Sequence, residues 1–317
     1  MATTRNEPYH QPVMVEEVVK LLLTNADGVY IDLTVGTGGH LRALAEASGP
    51  HAKVYGVDKD ENAVEQTIRN LAGYQQVKKV IRASYREIDD VAEQIEITRE
   101  RGFNGILIDT GFSSQQLDDP ARGFSFTTDG PLDMRFDRQS LGPTAADLIS
   151  SLSEHKLSEI IRTFGEERLA PRIARAVVRE RQKGKIQTTG QLARLIRTMV
   201  PSPHQTKSLA RVFQALRIAV NHELEELEAA LPDLMESLEM GGRMAVISFQ
   251  SLEDRLVKRA FRKASGKPDK DEPKSALLSE QEIFFRDLTG KPDRPSREEV
   301  TENPRSRSAK LRVLERL

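Results

Sequence analysis

The chain has 317 residues, of which 38% are apolar and 30% charged, and its formal net charge is −1. That length can bury a sizeable core in two domains or one large one, and the near-neutral balance confines any nucleic-acid surface to a local patch. Cysteine is absent, which excludes disulfides, thiolate zinc sites and a cysteine nucleophile and fits a reducing cytoplasm.

The N-terminal stretch MATTRNEPYHQPV has neither the apolar core of a secretory signal nor an Arg-rich transit pattern. An alternation then begins. VYIDLTV (29–35) predicts a buried strand and HLRALAEA a helix. KVYGVD (53–58) and ENAVEQTIRNLA repeat the pair, followed by VKKVIRASY (77–85) and REIDDVAEQIEITRERG. GILIDTGF (105–112) predicts a fourth strand. Strands and helices alternating at this spacing imply a parallel sheet covered on both faces. Between 113 and 213 only helical patterns occur: SEHKLSEIIRTFG, RLAPRIARAVVRERQKG and TGQLARLIRTMV. A long amphipathic helix, RVFQALRIAVNHELEELEAALPDLMESL, follows, with Pro232 expected to kink or divide it. RMAVISF (243–249) predicts a strand and AKLRVLERL an edge strand, while 266–275 and 290–308 read as loops. No stretch approaches the roughly 18 apolar residues of a membrane span. The expected fold is α/β, a doubly wound sheet over 1–112 and 214–317 interrupted by an all-helical insertion at 113–213.

In such sheets ligands bind beyond the carboxyl ends of the strands. The glycine turn YIDLTVGTGGH, with Gly36, Gly38 and Gly39, lets a ligand approach the backbone and presents amides at a helix start. Asp58 closes the second strand, where a carboxylate accepts two hydrogen bonds from a ribose diol. Chemistry alone leaves His40 between a ligand and a helix cap. Leu41 stands where a dinucleotide fingerprint has its third glycine, which leans towards S-adenosylmethionine over a nicotinamide cofactor.

The fourth strand ends in LIDTGFSSQQLDD. Asp109, a small-residue turn and Phe112 resemble the D-P-P-Y/F arrangement of enzymes that methylate amino groups on bases. An exocyclic amine is a poor nucleophile because its lone pair is delocalised into the ring. A carboxylate accepting an N–H bond returns electron density to that nitrogen, and an aromatic ring stacks the extruded base. Asp109 is thus the candidate catalytic residue, with Phe112 and Ser113 shaping the base pocket.

Seven segments, running nearly end to end, resemble the ribosomal RNA small subunit methyltransferase H family. They are HQPVMVEEVV (10–19), IDLTVGTGGH (31–40), DTGFSSQQLDDPARGFSFTTDGPLDMRFD (109–137), TFGEERLAPRIARAVV (163–178), VFQALRIAVNHELEELE (212–228), GGRMAVISFQSLEDRLVK (241–258) and ENPRSRSAKLRVLER (302–316). The resemblance implies a Rossmann-like class I methyltransferase sheet with a helical insertion for substrate recognition. It implies methyl transfer from S-adenosylmethionine to N4 of a cytosine in the decoding centre of 16S rRNA, within the small ribosomal subunit in the cytoplasm. The family's cofactor contacts fall on Gly38, Gly39, His40, Asp58, Tyr85, Asp109 and Gln116. Thr37, Gln115 and Gln250 stand where the family commonly has arginine, proline and histidine, and HQTKSLAR replaces the usual segment before VFQALRI.

RNA contacts are expected from local basic patches. Arg168, Arg172, Arg175 and Arg179 recur at helical spacing, and Arg181, Lys183 and Lys185 follow, against the single acid Glu180. Arg211, Gln214, Arg217 and Asn221 form a second helical face; Arg305, Arg307, Lys310 and Arg312 form a third cluster. Ser251, Glu253, Asp254 and Arg255 follow a strand and so lie at the sheet's active edge. Of these, Arg211, Arg217, Asn221, Ser251, Arg255 and Arg305 are the substrate candidates. Phe124, Phe126, Met134 and Phe136 are expected mainly in the insertion's core. The scattered histidines offer no metal pair, and monomer and homodimer stay equally open. Two rivals are weighed: a nicotinamide-dependent oxidoreductase, opposed by the absent third glycine and absent hydride site, and an RNA-binding assembly factor with a vestigial cofactor fold.

Overall fold

The computed structural model describes residues 12–98, 101–267 and 283–317. By internal contacts the chain forms two compact units, 1–111 with 225–317, and 112–224.

The first unit opens with α1 (Val15–Leu22), β1 (Val29–Asp32), α2 (Gly39–Ala47), β2 (Lys53–Asp58), α3 (Glu61–Leu71), β3 (Val77–Arg82), α4 (Ile88–Gln94) and β4 (Phe103–Asp109). The second unit carries α5 (Ser114–Asp118), α6 (Ala145–Ser151), α7 (Glu154–Gly165), α8 (Ala170–Lys183), α9 (Thr189–Met199) and α10 (Gln205–Asn221). The chain returns through α11 (Glu223–Glu236), β5 (Leu238–Ser248), α12 (Ser251–Ala264), β6 (Phe285–Asp287), α13 (Arg297–Glu302) and β7 (Lys310–Arg316).

The seven strands make one sheet in the order β3-β2-β1-β4-β5-β7-β6, so the expected doubly wound α/β architecture is present. All pairs are parallel except those of β7 with β5 and with β6. Successive strand residues face opposite sides. Ile106, Ile108, Met244 and Val246 pack with α4, α11 and α12, whereas Leu107, Ala245 and Ile247 pack with α1, α2 and α3. Both faces are therefore covered, which is why the inner strands read as continuous apolar runs.

The helical unit has its own core, built from Leu157, Ile161, Ile173, Val177, Leu192, Ile196, Val212 and Leu216 among others. Phe124 and Met134 belong to it, and Phe126 and Phe136 pack against it, as the sequence suggested. Helix α10 packs on α7 and α9. The expected limit at 213 falls inside that continuous helix, so the unit extends to Leu224.

Several local expectations change. The stretch 211–238 is not one helix divided at Pro232. It breaks at His222, whose φ of 52° is left-handed, and Pro232 lies within α11. The segment 290–308 is not all loop, since it holds α13 and a 3-10 turn at Pro304–Ser308. Strand β5 already starts at Leu238 and runs through the glycine pair. Most of the other expected loop, 266–275, lies outside the described residues.

A side chain in the left-handed region costs about 1–2 kcal/mol. His222→Gly should therefore raise stability by roughly 0.5–1 kcal/mol, after the entropy glycine loses on folding. Chemical denaturation would read this as a higher midpoint at unchanged slope.

Candidate functional site

The carboxyl ends of β2, β1 and β4, three neighbours in the sheet, each carry an aspartate: Asp58, Asp32 and Asp109. The turn after β1 is built around them. Asp32 Oδ1 accepts the Thr34 N–H at 3.0 Å, and Thr34 Oγ1 accepts the Asp109 N–H at 2.7 Å. Asp58 Oδ2 accepts the Gly36 N–H at 2.9 Å and its Oδ1 accepts the Asp60 N–H at 2.9 Å. The Asp58 carboxylate thus clamps the glycine turn first. Each of its oxygens keeps a further lone pair for a ligand.

Gly36 and Gly38 adopt φ of 52° and 87°, which favours glycine. A Cβ on Gly38 would approach Leu71 and Thr67 to 3.1 Å, and one on Gly39 would strike Pro12 at 2.8 Å. These glycines are therefore demanded by the packing of α3 and of the segment before α1, as well as by any ligand.

His40 is the second residue of α2, and Gly38 occupies the cap position. Its ring is only 5% exposed, with Nε2 3.6 Å from Asp109 Oδ2. Both ring nitrogens, Asp32 Oδ2 and Asp109 Oδ1 are buried without a hydrogen-bond partner. Burial pushes the Asp32 carboxyl up to about 6, against the opposing pull of His40, and burial likewise pushes Asp58 up to about 6. Burial would lower the His40 proton affinity, but Asp109 and Asp32 outweigh it and the net shift is upward. Orphaned acceptors beside a glycine turn fit a ligand that brings donors and positive charge. Tyr85, half-buried after β3, has Lys59 Nζ 5.7 Å from its ring centre. Lys59 also pairs with Glu226.

Glu253 closes the next strand end. It is 2% exposed and accepts hydrogen bonds from the N–H groups of Phe249 and Gln250 and from the Thr110 hydroxyl. Ser251 and Arg255 are exposed on α12.

In the helical unit, Ser113 caps α5 and its N–H donates to the buried Gln116 side chain at 2.9 Å. The Phe112 ring, 38% exposed, stacks on Phe124 with centroids 5.6 Å apart, and the Arg217 guanidinium lies 4.6 Å from its centre.

Two substrate candidates are corrected. Arg217 is 5% exposed and forms a two-point pair with Glu223 at 2.8 and 3.0 Å. Asn221 spends its amide inside the unit, accepting from the Phe136 N–H and donating to the Met134 and Arg217 carbonyls. Neither presents a free edge to RNA. Arg211 is 45% exposed, 3.7 Å from Glu167. The cluster near the C-terminus also divides: Lys310 and Arg312 pair with Asp254, while Arg305 and Arg307 are exposed. On α8 and just before it, Arg168, Arg172, Arg175 and Arg179 are all exposed on one face, opposite the buried Ile173, Ala174 and Val177. Arg181 instead ties α8 to the carbonyls of Ile149 and Leu152.

No group of three metal-ligating side chains occurs among the described residues. No helix among them is long and apolar enough to cross a membrane.

The family model for MraW methylases matches residues 7–317. The chain belongs to the MraW methylase family. A relative from Magnetococcus marinus called ribosomal RNA small subunit methyltransferase H is 42% identical, over 97% of this chain and 98% of its own. One of the same name from Coprothermobacter proteolyticus is 43% identical, over 97% and 96%. The solved rRNA methylase of Streptococcus thermophilus covers 96% of this chain and 93% of its own, but at 13% identity and a TM-score of 0.39 it adds nothing to the assignment. Membership of this methylase family and the seven-stranded sheet agree with the class I methyltransferase fold expected from sequence.

Asp32 was not among the sequence candidates, although it closes the apolar run before the glycine turn. Its folded-state pKa lies above the ordinary 3.8, so between those values the folded state binds more protons. Stability from this group is then lost as pH rises through about 6, and the penalty stays in force above. Asp32→Asn should stabilise the protein by roughly 2 kcal/mol at pH 8. Thermal melts across pH 4 to 8 should show that gain vanishing at the acid end.

Proposed function

We propose that this chain transfers a methyl group from S-adenosylmethionine to the exocyclic N4 amine of a cytosine in the decoding centre of 16S rRNA. Its family membership and the name shared by its relatives support the reaction class and the rRNA substrate. The observation that carries the cofactor is the row of carboxylates at Asp58, Asp32 and Asp109. A cationic ligand bearing a sulfonium and an ammonium relieves their repulsion, whereas a dinucleotide would bring a pyrophosphate into it.

Bound there, the cofactor supplies an electrophilic methyl group on a sulfur that departs neutral. Gly38, Gly39 and His40 would line its amino-acid end, Asp58 would receive the ribose hydroxyls, and Tyr85 and Gln116 would complete the contacts. Asp109 Oδ1, buried and unpartnered, would accept a hydrogen bond from the amine and orient its lone pair. Phe112 and Ser113 would shape the base pocket, with Ser251, Arg255, Arg211 and Arg305 as further RNA contacts.

Most of these cofactor contacts lie in 1–111 with 225–317, while 112–224 would offer Phe112, Ser113, Arg211 and the α8 arginine face to RNA. The exposed arginine face of α8 supports the RNA role, since sequence-independent phosphate contacts supply much of RNA affinity. The reaction is assigned to the cytoplasm, with the small ribosomal subunit as the partner.

Incubation with methyl-labelled cofactor and small ribosomal subunits should place label in N4-methylated cytidine after nucleoside digestion. Asp109→Ala should cut kcat by about 10²–10³-fold while the melt is retained. Label in a different nucleoside, or full activity of Asp109→Ala, would refute this assignment.

A further inference from the structure

His40 is enclosed by acids. Asp109 reaches it from the end of β4 at 3.6 Å, and Asp32, at the end of β1, and Glu299, on α13, act on it electrostatically. Asp58 in turn acts on Asp32 from the end of β2. Glu299 is itself held in place, because its Oε1 accepts the Met14 N–H at 2.8 Å. The ring therefore sits with carboxylates at three strand or helix positions, and it does not hydrogen-bond to any backbone carbonyl. A neutral imidazole has one N–H to offer these acids, whereas an imidazolium has two and carries a charge that offsets theirs.

The geometry is one-sided at Asp109. Its Oδ2 lies 3.6 Å from His40 Nε2, while its Oδ1 is buried without a partner. We infer that His40 positions Asp109: its imidazolium, favoured by the nearby charge of Asp32, fixes Asp109 Oδ2, and Oδ1 alone is presented to the amine of the RNA base. The last link rests on the methyl-transfer reading above; the first two do not. Asp32 and His40 are positioning residues for this purpose, since they act through Asp109. A carboxylate held by one oxygen keeps one orientation, so the amine meets the acceptor without a rotamer search.

The net upward shift at His40 fits this arrangement. A group raised above its ordinary value stays charged below the raised value and discharges as pH rises through it. The arrangement should therefore be intact at neutral pH and break on the alkaline side, taking kcat with it.

The test is a titration of His40 by ¹⁵N-edited NMR of the imidazole in the full-length protein, its signal assigned with His40→Gln. The midpoint should lie above 6.5 in the wild type. It should move down in Asp32→Asn, and down also in Asp109→Asn. In a methylation assay the alkaline limb of the kcat profile should move with the midpoint in Asp32→Asn and be absent in His40→Gln. A midpoint indifferent to both substitutions overturns the first two links. A midpoint that moves while the kcat limb stays fixed overturns the link to the amine. The titration needs no substrate, so a failed methylation assay on every RNA offered would count against the methyl-transfer reading alone. Should Asp32→Asn fail to fold by its melt, Asp109→Asn tests the same coupling from the other end.

Discussion

Three carboxylates at the ends of three adjacent parallel strands are the constraint around which this site is built. Burial pushes the carboxyls of Asp32 and Asp58 both up to about 6, and at Asp32 the charges of Asp109 and Asp58 add repulsion. The chain offsets the repulsion with what lies nearest. Backbone amides of Thr34, Gly36 and Asp60 point at the carboxylates, and the His40 ring faces Asp109. The Gly36 amide is presented by a turn that takes left-handed φ at Gly36 and Gly38. Thr34 then joins two of the acids mechanically, donating its N–H to Asp32 and accepting the Asp109 N–H on its hydroxyl. The shape of the glycine turn and the electrostatics of the site are thus one problem with one solution.

The helical unit solves a different problem with arginine. Arg217 is planar, buried, paired two-point to Glu223 and laid over Phe112. Phe112, Phe124 and Phe136 stack in series at 5.6 and 5.7 Å. Asn221 fastens the loop before α6 through Phe136 and Met134. Removing one partner of such a buried pair leaves the other charge uncompensated, so Arg217 belongs to the architecture of the unit. The exposed arginines of α8 face solvent, and the pair that Arg175 makes with Glu154 at 3.2 Å is itself exposed.

Much of this was legible from sequence where local chemistry decides. Strands β1, β2, β4 and β5 read as apolar runs because both faces of the sheet are covered. The glycine turn, Asp58 and Asp109 declared themselves by lying at strand ends. The misreadings arise where a tertiary neighbour decides. Arg217 and Asn221 share the helical spacing of a polar face, yet α10 is buried on nearly every side, from Ser208 and Leu209 through Val220. No pattern in the sequence states that Glu223, the residue after the break, will close on Arg217. Pro232 looked like the natural divider, but it sits inside α11, as its tenth residue, without ending it, and the left-handed residue at His222 turns the chain instead. Strand β6, only Phe285–Asp287, is too short to carry a period and exists because β7 offers it an edge.

Gln250 shows how a motif position can change its side chain and keep its task. The residue precedes α12, and what the structure uses there is its backbone N–H, which donates to Glu253 Oε2 at 3.2 Å. The same oxygen accepts from the Phe249 N–H and from the Thr110 hydroxyl, so one buried carboxylate binds the ends of β4 and β5 to the start of the helix. None of those bonds involves the amide group of Gln250, whose Oε1 is buried without a partner. A histidine at this place, as the family resemblance has it, would leave the same three bonds intact. The exchange removes a titratable ring from the rim of the site without loosening the strand ends.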